Sequence, residues 1–274
     1  MALGILTNVA ATYAENNLNQ TQGSLQSVLQ QLSSGSRINS GADDAAGLSV
    51  ADGLHANEAA LTQSAQNATN GVGLLQTADG ALSQVTNLLD RAVTLATEAS
   101  NGGLTTAQAT AADTEFQSIL TEIGNIGTST NFNSNAVFSA TATDFVVSDG
   151  TTSGTTTISA TTGALSTTSL GFTAADVLTS QTAAKTTLTD ITAAIATVAS
   201  QRGTIGANIN QLNAAANVAS SEEVNLSSAE SNVRSTNYGQ ATSDLAKYQV
   251  LSQTGISALA QANSVQQEIL KLLQ

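Results

Sequence analysis

The chain has 274 residues, no Pro, Cys or Trp, 3% aromatic residues and a formal net charge of −13. Seven basic residues cannot form the clustered Lys/Arg surface that nucleic acid or an anionic membrane requires, and no apolar run reaches the roughly 20 residues needed to span a bilayer. Without Cys there is neither a disulfide nor a thiolate metal site, and the single His55 leaves almost no transition-metal ligand set, so no cofactor is expected.

The buried surface must come from Leu, Ile, Val and Ala, which suit narrow seams between helices, and the absence of Pro removes the main helix breaker. The start, "MALGILTNVAATYAENNLNQ", has no basic n-region and no long apolar segment, so no cleaved secretory signal is expected.

The first segment places Ala11, Ala14, Leu18, Thr21, Leu25, Val28 and Leu32 at 3-4 spacing, which predicts a helix with one inward face. Glu15 is the only charged residue before Arg37, so this helix can pack against copies of itself without charge repulsion. "LSSGSRINSGADDAAGLSV" follows at 32–50, and its Gly35, Ser36, Asn39, Ser40 and Gly41 are turn and cap formers. Asp43 and Asp44 then stand where carboxylates favour a new helix N-terminus. As neighbours they point in different directions, which argues against a paired catalytic acid and base.

The second helix carries Leu75, Ala78, Leu82, Val85, Leu89, Ala92, Ala96 and Ala99 on one face, and Gly102 and Gly103 are expected to stop it. "HANEAAL" at 55–61 lacks the second His of a zinc-protease helix, leaving His55 as a surface residue. A shorter helix shows Phe116, Ile119, Ile123 and Ile126 on one side. The Thr/Ser/Gly-rich region 139–180 holds two β-prone runs around Asp149-Gly150, a hairpin signal in which Phe145, Val146, Val147 and Ile158 can cover a helix.

From Leu188 the pattern runs through Ile191, Ile195, Val198, Arg202, Ile205, Ile209, Leu212, Ala216 and Ala219, then more weakly to Val233. Arg202 on this seam reads either as an intersubunit ion-pair partner or as a snorkelling side chain. "RSTNYGQATSDL" repeats the character of the first connector, and Arg37 and Arg234 are each candidates to pair with Asp43, Asp44 or Asp244. The last helix is predicted to turn Leu251, Gly255, Ala258, Ala262, Val265, Ile269 and Leu272 inward.

The fold class expected is mainly α, with antiparallel coiled-coil-like helices from the two halves and a small β-hairpin region between them. The joints at 33–44 and 234–244 should lie side by side. Gly35, Arg37, Gly41, Asp43, Asp44 and Arg234 form that joint, and its Gly and Ser residues suit a connection that lets subunits shift slightly. The terminal seams, Leu18, Leu25 and Leu32 with Leu251, Ala258, Val265, Ile269 and Leu272, are the candidate self-assembly residues. Nothing suggests an enzyme, because no nucleophile, base and metal set converges.

These stretches resemble bacterial flagellin. "LSSGSRINSGADDAAGLSV" is similar to the family's N-terminal marker, "NLLDRAVTLATEASNG" and "TSTNFNS" to its next two, and "TGISALAQANSVQQEILKLLQ" to its C-terminal signature. The resemblance covers about 1–138 and 181–274. It implies a structural filament subunit for swimming motility, exported unfolded by the flagellar type III apparatus and resident in the extracellular flagellum. It implies a terminal inner-tube domain from 1–40 and 236–274, with terminal helices that order only on assembly. An outer-tube helical bundle follows from 41–138 and 181–235, with only a short hairpin and loop at 139–180 in place of a large outer domain.

The implied partners are copies of itself, an export chaperone, and the cap and hook-junction proteins. Arg91, Leu95 and Glu122 match family positions contacted by the vertebrate innate flagellin receptor, although Val93 and Thr94 depart from the charged residues usual there. The Thr/Ser-rich segment also matches a place where flagellins often carry O-linked sugars. The alternative is a flagellin-like hook–filament junction protein or a coiled-coil adhesin, against which the "LAQAN" ending favours the filament.

Overall fold

The computed structural model describes residues 7–149 and 156–272, with side chains as far as residue 268. In chain order the elements are α1 (Val9–Ser34), α2 (Ala45–Ala99), α3 (Thr106–Ser129), β1 (Asn131–Phe132), β2 (Asn135–Ala136), β3 (Thr143–Val146), β4 (Thr157–Ala160), α4 (Gln181–Arg234) and α5 (Tyr238–Leu272). The mainly α expectation with a small β region holds. The chain divides into two compact units, one of Met1–Ala56 with Asn225–Gln274 and one of Asn57–Val224. Their borders fall inside α2 and α4, beyond the joints.

The second unit is a closed core. Every residue of the α2 stripe from Leu75 to Ala99 is at most 4% exposed, as its strict 3-4 spacing requires. Phe116 and Ile123 of α3 and Ile191, Val198, Ile205 and Leu212 of α4 complete the same cluster. Phe116 meets Phe172 edge to face, with ring centroids 6.1 Å apart. Helix α2 stops at Ala99, before Gly102 and Gly103. Helix α3 begins with a reciprocal capping box between Thr105 and Gln108.

Region 139–180 is part of this core and not only a surface insert. Ile158, Ala160, Leu165, Leu170, Phe172 and Leu178 are buried in the cluster. The segment is pinned by side chains: Leu178 N–H donates to Asp113 Oδ1 at 2.7 Å, and Gln117 Nε2 donates to the Asp176 carbonyl at 3.0 Å. β3 and β4 pair antiparallel with Phe145 opposite Ile158. Phe145 packs near Gly71 and Leu212, and Asn67 Nδ2 donates to the Val146 carbonyl at 3.2 Å, so the hairpin covers α2 as expected. Val146 is the exception, turned outward at 38% exposure. The strands end at Val146 and resume at Thr157, so they do not flank Asp149-Gly150 closely; Gly150 lies outside the described residues.

A second ribbon, β1–β2, had no counterpart in the sequence expectation. Its turn uses Asn133 at φ 50° and Ser134 at φ 65°, the two positive values of a type I′ hairpin.

Two glycines on α3 separate packing from propensity. A methyl built on Gly127 would overlap the Leu165 carbonyl oxygen, a backbone atom that cannot rotate away, whereas one on Gly124 would meet nothing within 4 Å. Gly127→Ala should therefore cost at least about 2 kcal/mol by overpacking. Gly124→Ala should be neutral or stabilise by up to roughly 1 kcal/mol through helix propensity. Urea unfolding of the two variants checks this, and equal midpoints would contradict the packing.

Candidate self-assembly surface

In the first unit, α1 and α5 form an antiparallel hairpin. Asn8 Nδ2 donates to the Ala262 carbonyl at 3.0 Å near one end, Leu18 lies against Gly255, and Gly35 meets the Tyr238 hydroxyl at the other. Asn8 also caps α1, accepting from Ala11 N–H at 3.0 Å. The α1 seam is the expected one: Ala11, Ala14, Leu18, Thr21, Leu25 and Leu32 are half-buried and Val28 is buried.

Helix α5 faces its partner differently from the expectation. Ala241 is buried, and Leu245, Tyr248, Ser252, Gly255, Leu259 and Ala262 are half-buried. Of the expected stripe, among the described side chains, only Gly255 and Ala262 turn inward. Leu251 and Val265 are each 44% exposed and Ala258 is exposed. The side chains of Ile269 and Leu272 lie outside the described residues. The physical reason is that α5 is apolar on two overlapping stripes, and the one with the larger Leu245, Tyr248 and Leu259 takes the α1 seam. Leu251 and Ala258 instead rim a groove of about 380 Å³ whose other wall is Ala14, Leu18 and Thr21.

Other apolar residues of α1 and α5 stand exposed outside this seam. Val250 is 65% exposed, Ile256 49%, Tyr13 68% and Val9 59%. Their signal was in the sequence, as apolar residues off the 3-4 register on helices with little net charge.

The two joints do lie side by side. Arg37 N–H donates to the Arg234 carbonyl at 2.7 Å and Thr236 N–H to the Gly35 carbonyl at 3.0 Å. Ser36 Oγ donates to the Arg234 carbonyl at 3.1 Å, and Arg37 Nη2 to the Val233 carbonyl at 2.9 Å. The three that end on Val233 and Arg234 satisfy carbonyls left open at the end of α4. Gly35 closes α1 at φ 71°, the left-handed cap conformation that favours glycine. Asp44 starts α2 by accepting from Gly47 N–H at 2.8 Å. Asp43 folds the connector on itself, accepting from Asn39 N–H at 3.1 Å and Ser40 N–H at 2.8 Å. These bonds to its charged form hold the Asp43 carboxyl below the usual aspartate range. Arg37 lies 4.0 Å from Asp44, as one proposed pairing had it; Arg234 instead pairs with Glu230 at 3.2 Å. Asp244 accepts from Gln240.

Comparison with known proteins places this hairpin in a family. Residues 5–143 match the family model for the bacterial flagellin N-terminal helical region, and 188–273 match that for the C-terminal helical region. The chain belongs to the bacterial flagellin family. It is similar to the flagellin of Xenorhabdus nematophila, at 32% identity over 100% of both chains, and to that of Halalkalibacterium halodurans, at 31% over 97% of this chain and 98% of that one. It is 40% identical to flagellin 1 of Proteus mirabilis over 55% of this chain, which spans 41% of that one. The crystal structure of Bacillus cereus flagellin aligns at TM-score 0.49 and 29% identity, over 56% of this chain and 88% of that one. The protein is a structural subunit of the flagellar filament. Among the described residues, no helix is long and apolar enough to cross a membrane.

Arg91 makes a two-pronged pair with Glu115, Nε to Oε1 at 2.7 Å and Nη2 to Oε2 at 3.0 Å. Glu122 is exposed, accepting from Asn125 at 3.3 Å. Leu95 is 3% exposed in the core, so its side chain is not offered to a receptor. Arg202 neither snorkels nor waits for another subunit: it grips Asp79 of its own chain at 2.8 and 3.3 Å. His55 is a surface residue, with Nδ1 3.9 Å from Glu230 Oε2.

The joint's chemistry makes two checkable predictions. Gly35→Ala should destabilise by about 1 kcal/mol or more, since it forces a side chain into a left-handed conformation and against the Tyr238 hydroxyl. Gly41→Ala, whose methyl would meet only Leu48 at 3.8 Å, should change little in the same thermal melt. In an NMR titration the Asp43 carboxyl should protonate below the usual aspartate midpoint, so its turn holds at neutral pH and loosens only as pH falls through that lowered value. The Asn39 and Ser40 amides should move with it; a normal midpoint would contradict the bonds.

Proposed function

We propose that this flagellin polymerises through the apolar stripe that the α1–α5 hairpin leaves uncovered. The observation that carries the reading is the exposure of Leu251, Ala258 and Val265, which recur every seven residues on one flank of α5 with Val250 beside them, on a helix whose two acidic and two basic residues cancel. Contiguous exposed apolar surface marks an interaction site. Burying a Val, Leu or Ile contributes about 1.5–3 kcal/mol, so a few such residues per subunit favour assembly. Copies that meet here meet without the repulsion that a net charge of −13 would otherwise impose.

The same imbalance supports a terminal hairpin that is marginal alone and gains order in the polymer. A pair of helices with one covered stripe resists unfolding less than the closed second unit, which suits export of an unfolded chain. The absence of Pro and Cys removes slow isomerisation and disulfide steps from refolding outside the cell. By family resemblance the further partners are an export chaperone and the cap and hook-junction proteins. A receptor reading this chain would find Arg91 and Glu122 at the surface.

Electron microscopy of the full chain before and after a precipitating salt tests the reading. The full chain should form long tubes, and removal of 1–36 and 245–274 should abolish them. The double variant Leu251→Asp with Val265→Asp should lose tubes while its monomer keeps the native circular dichroism, because both sites are exposed. Normal tubes from the double variant would overturn the assignment of this face.

A further inference from the structure

The chain contains the dipeptide Asn-Gly twice, at Asn70-Gly71 and Asn101-Gly102, and the fold puts the two in opposite environments. Asn70-Gly71 is inside α2, where the Gly71 amide belongs to the helical ladder. Gly71 is buried, with Leu212 and Phe145 side chains close enough that even a methyl would strike them. Asn101-Gly102 lies in the turn between α2 and α3, with both residues and Gly103 exposed. Asn101 N–H donates to the Glu98 carbonyl at 3.1 Å, but among the described bonds none is donated by Gly102 N–H.

We infer that Asn101 is a site of spontaneous modification, its side-chain amide converting to a carboxylate through the backbone of Gly102. The Gly102 nitrogen attacks Asn101 Cγ, a C–N bond forms, the amide nitrogen leaves as ammonia, and the Gly102 N–H proton is given up. The five-membered imide that results takes up one water at either carbonyl. One opening yields Asp, the other isoaspartate with the main chain routed through the former side chain. No oxidant, metal or enzyme is needed. The reaction requires a nitrogen without a bulky neighbour and a backbone free to bring N to Cγ. Gly after Asn in an exposed turn supplies both, whereas Asn70-Gly71 has the Gly but not the freedom, because the helix's hydrogen bonds fix its backbone in another geometry.

The product matters because of where it stands. Each conversion adds a negative charge to an already acidic chain, four residues before Thr105 caps α3. The isoaspartate form also lengthens the main chain of the only connection between α2 and α3, two helices packed in one core. Chains that stay in use for long periods would accumulate this mark.

The test incubates the full chain at mildly alkaline pH in water enriched in oxygen-18, followed by cleavage after Glu and mass spectrometry. The peptide 99–115 carries Asn101, and 59–98 carries Asn70. The acid form should grow in the first peptide with one heavy oxygen per conversion, in both Asp and isoaspartate forms, while Asn70 stays an amide. Gly102→Ala should slow the reaction several-fold with unchanged circular dichroism, since its methyl would come no nearer than 3.4 Å to Gln181. An unconverted Asn101, equal rates at both sites, or no effect of Gly102→Ala would each overturn the proposal.

Discussion

A single helix pair has one seam, and a helix that is apolar on two stripes cannot satisfy both with one partner. Helix α5 is in that position. Its Leu245, Tyr248 and Leu259 face α1, and Leu251, Ala258 and Val265 are left towards solvent. The second unit has no such remainder along α2, where the stripe from Leu75 to Ala99 is covered by α3, α4 and the buried residues of 158–178. With 3% aromatic residues, neither unit can compensate for a poorly covered stripe with one large side chain. The closed unit covers its α2 stripe within the monomer, whereas the open one keeps apolar surface that the proposed assembly would cover.

The joint is built more firmly than its Gly-Ser composition suggests. Backbone bonds tie Gly35 and Arg37 to Thr236 and Arg234, and side chains of Ser36 and Arg37 reach the last carbonyls of α4. Asp43 and Asp44, adjacent and of one type, do different work: one closes the connector and the other caps a helix. Any adjustment between subunits has to be made against this network.

What was legible in the sequence follows from how many partners each element has. The stripes of α1, α2, α3 and α4 each stand on one face, and 3-4 spacing located their large apolar residues but passed over Ala109, Ala112 and Leu120 on α3 and Ala184, Thr187 and Ala194 on α4. On α5 the same spacing fits two stripes that share Gly255 and Ala262, and only packing against Leu18 chooses between them. The β3–β4 hairpin was readable from its β-prone runs, but its turn was not, because many Thr, Ser and Gly residues fit the loop equally. Leu165, Leu170, Phe172 and Leu178 are scattered among those residues without a period, which hid a part of the core. Arg202 could be seen on its seam, but its partner Asp79 is 123 residues away and no local pattern names it.

Hydrogen exchange compared between monomers and salt-grown filaments addresses the open hairpin most directly. The account predicts that amides of α5 between Val250 and Val265 exchange readily in the monomer and become protected in the filament. The amides of α2 between Leu75 and Ala99 should be protected in both states. Equal protection of α5 in monomer and filament would mean that the hairpin is already complete alone, and would contradict an assembly driven by its uncovered stripe.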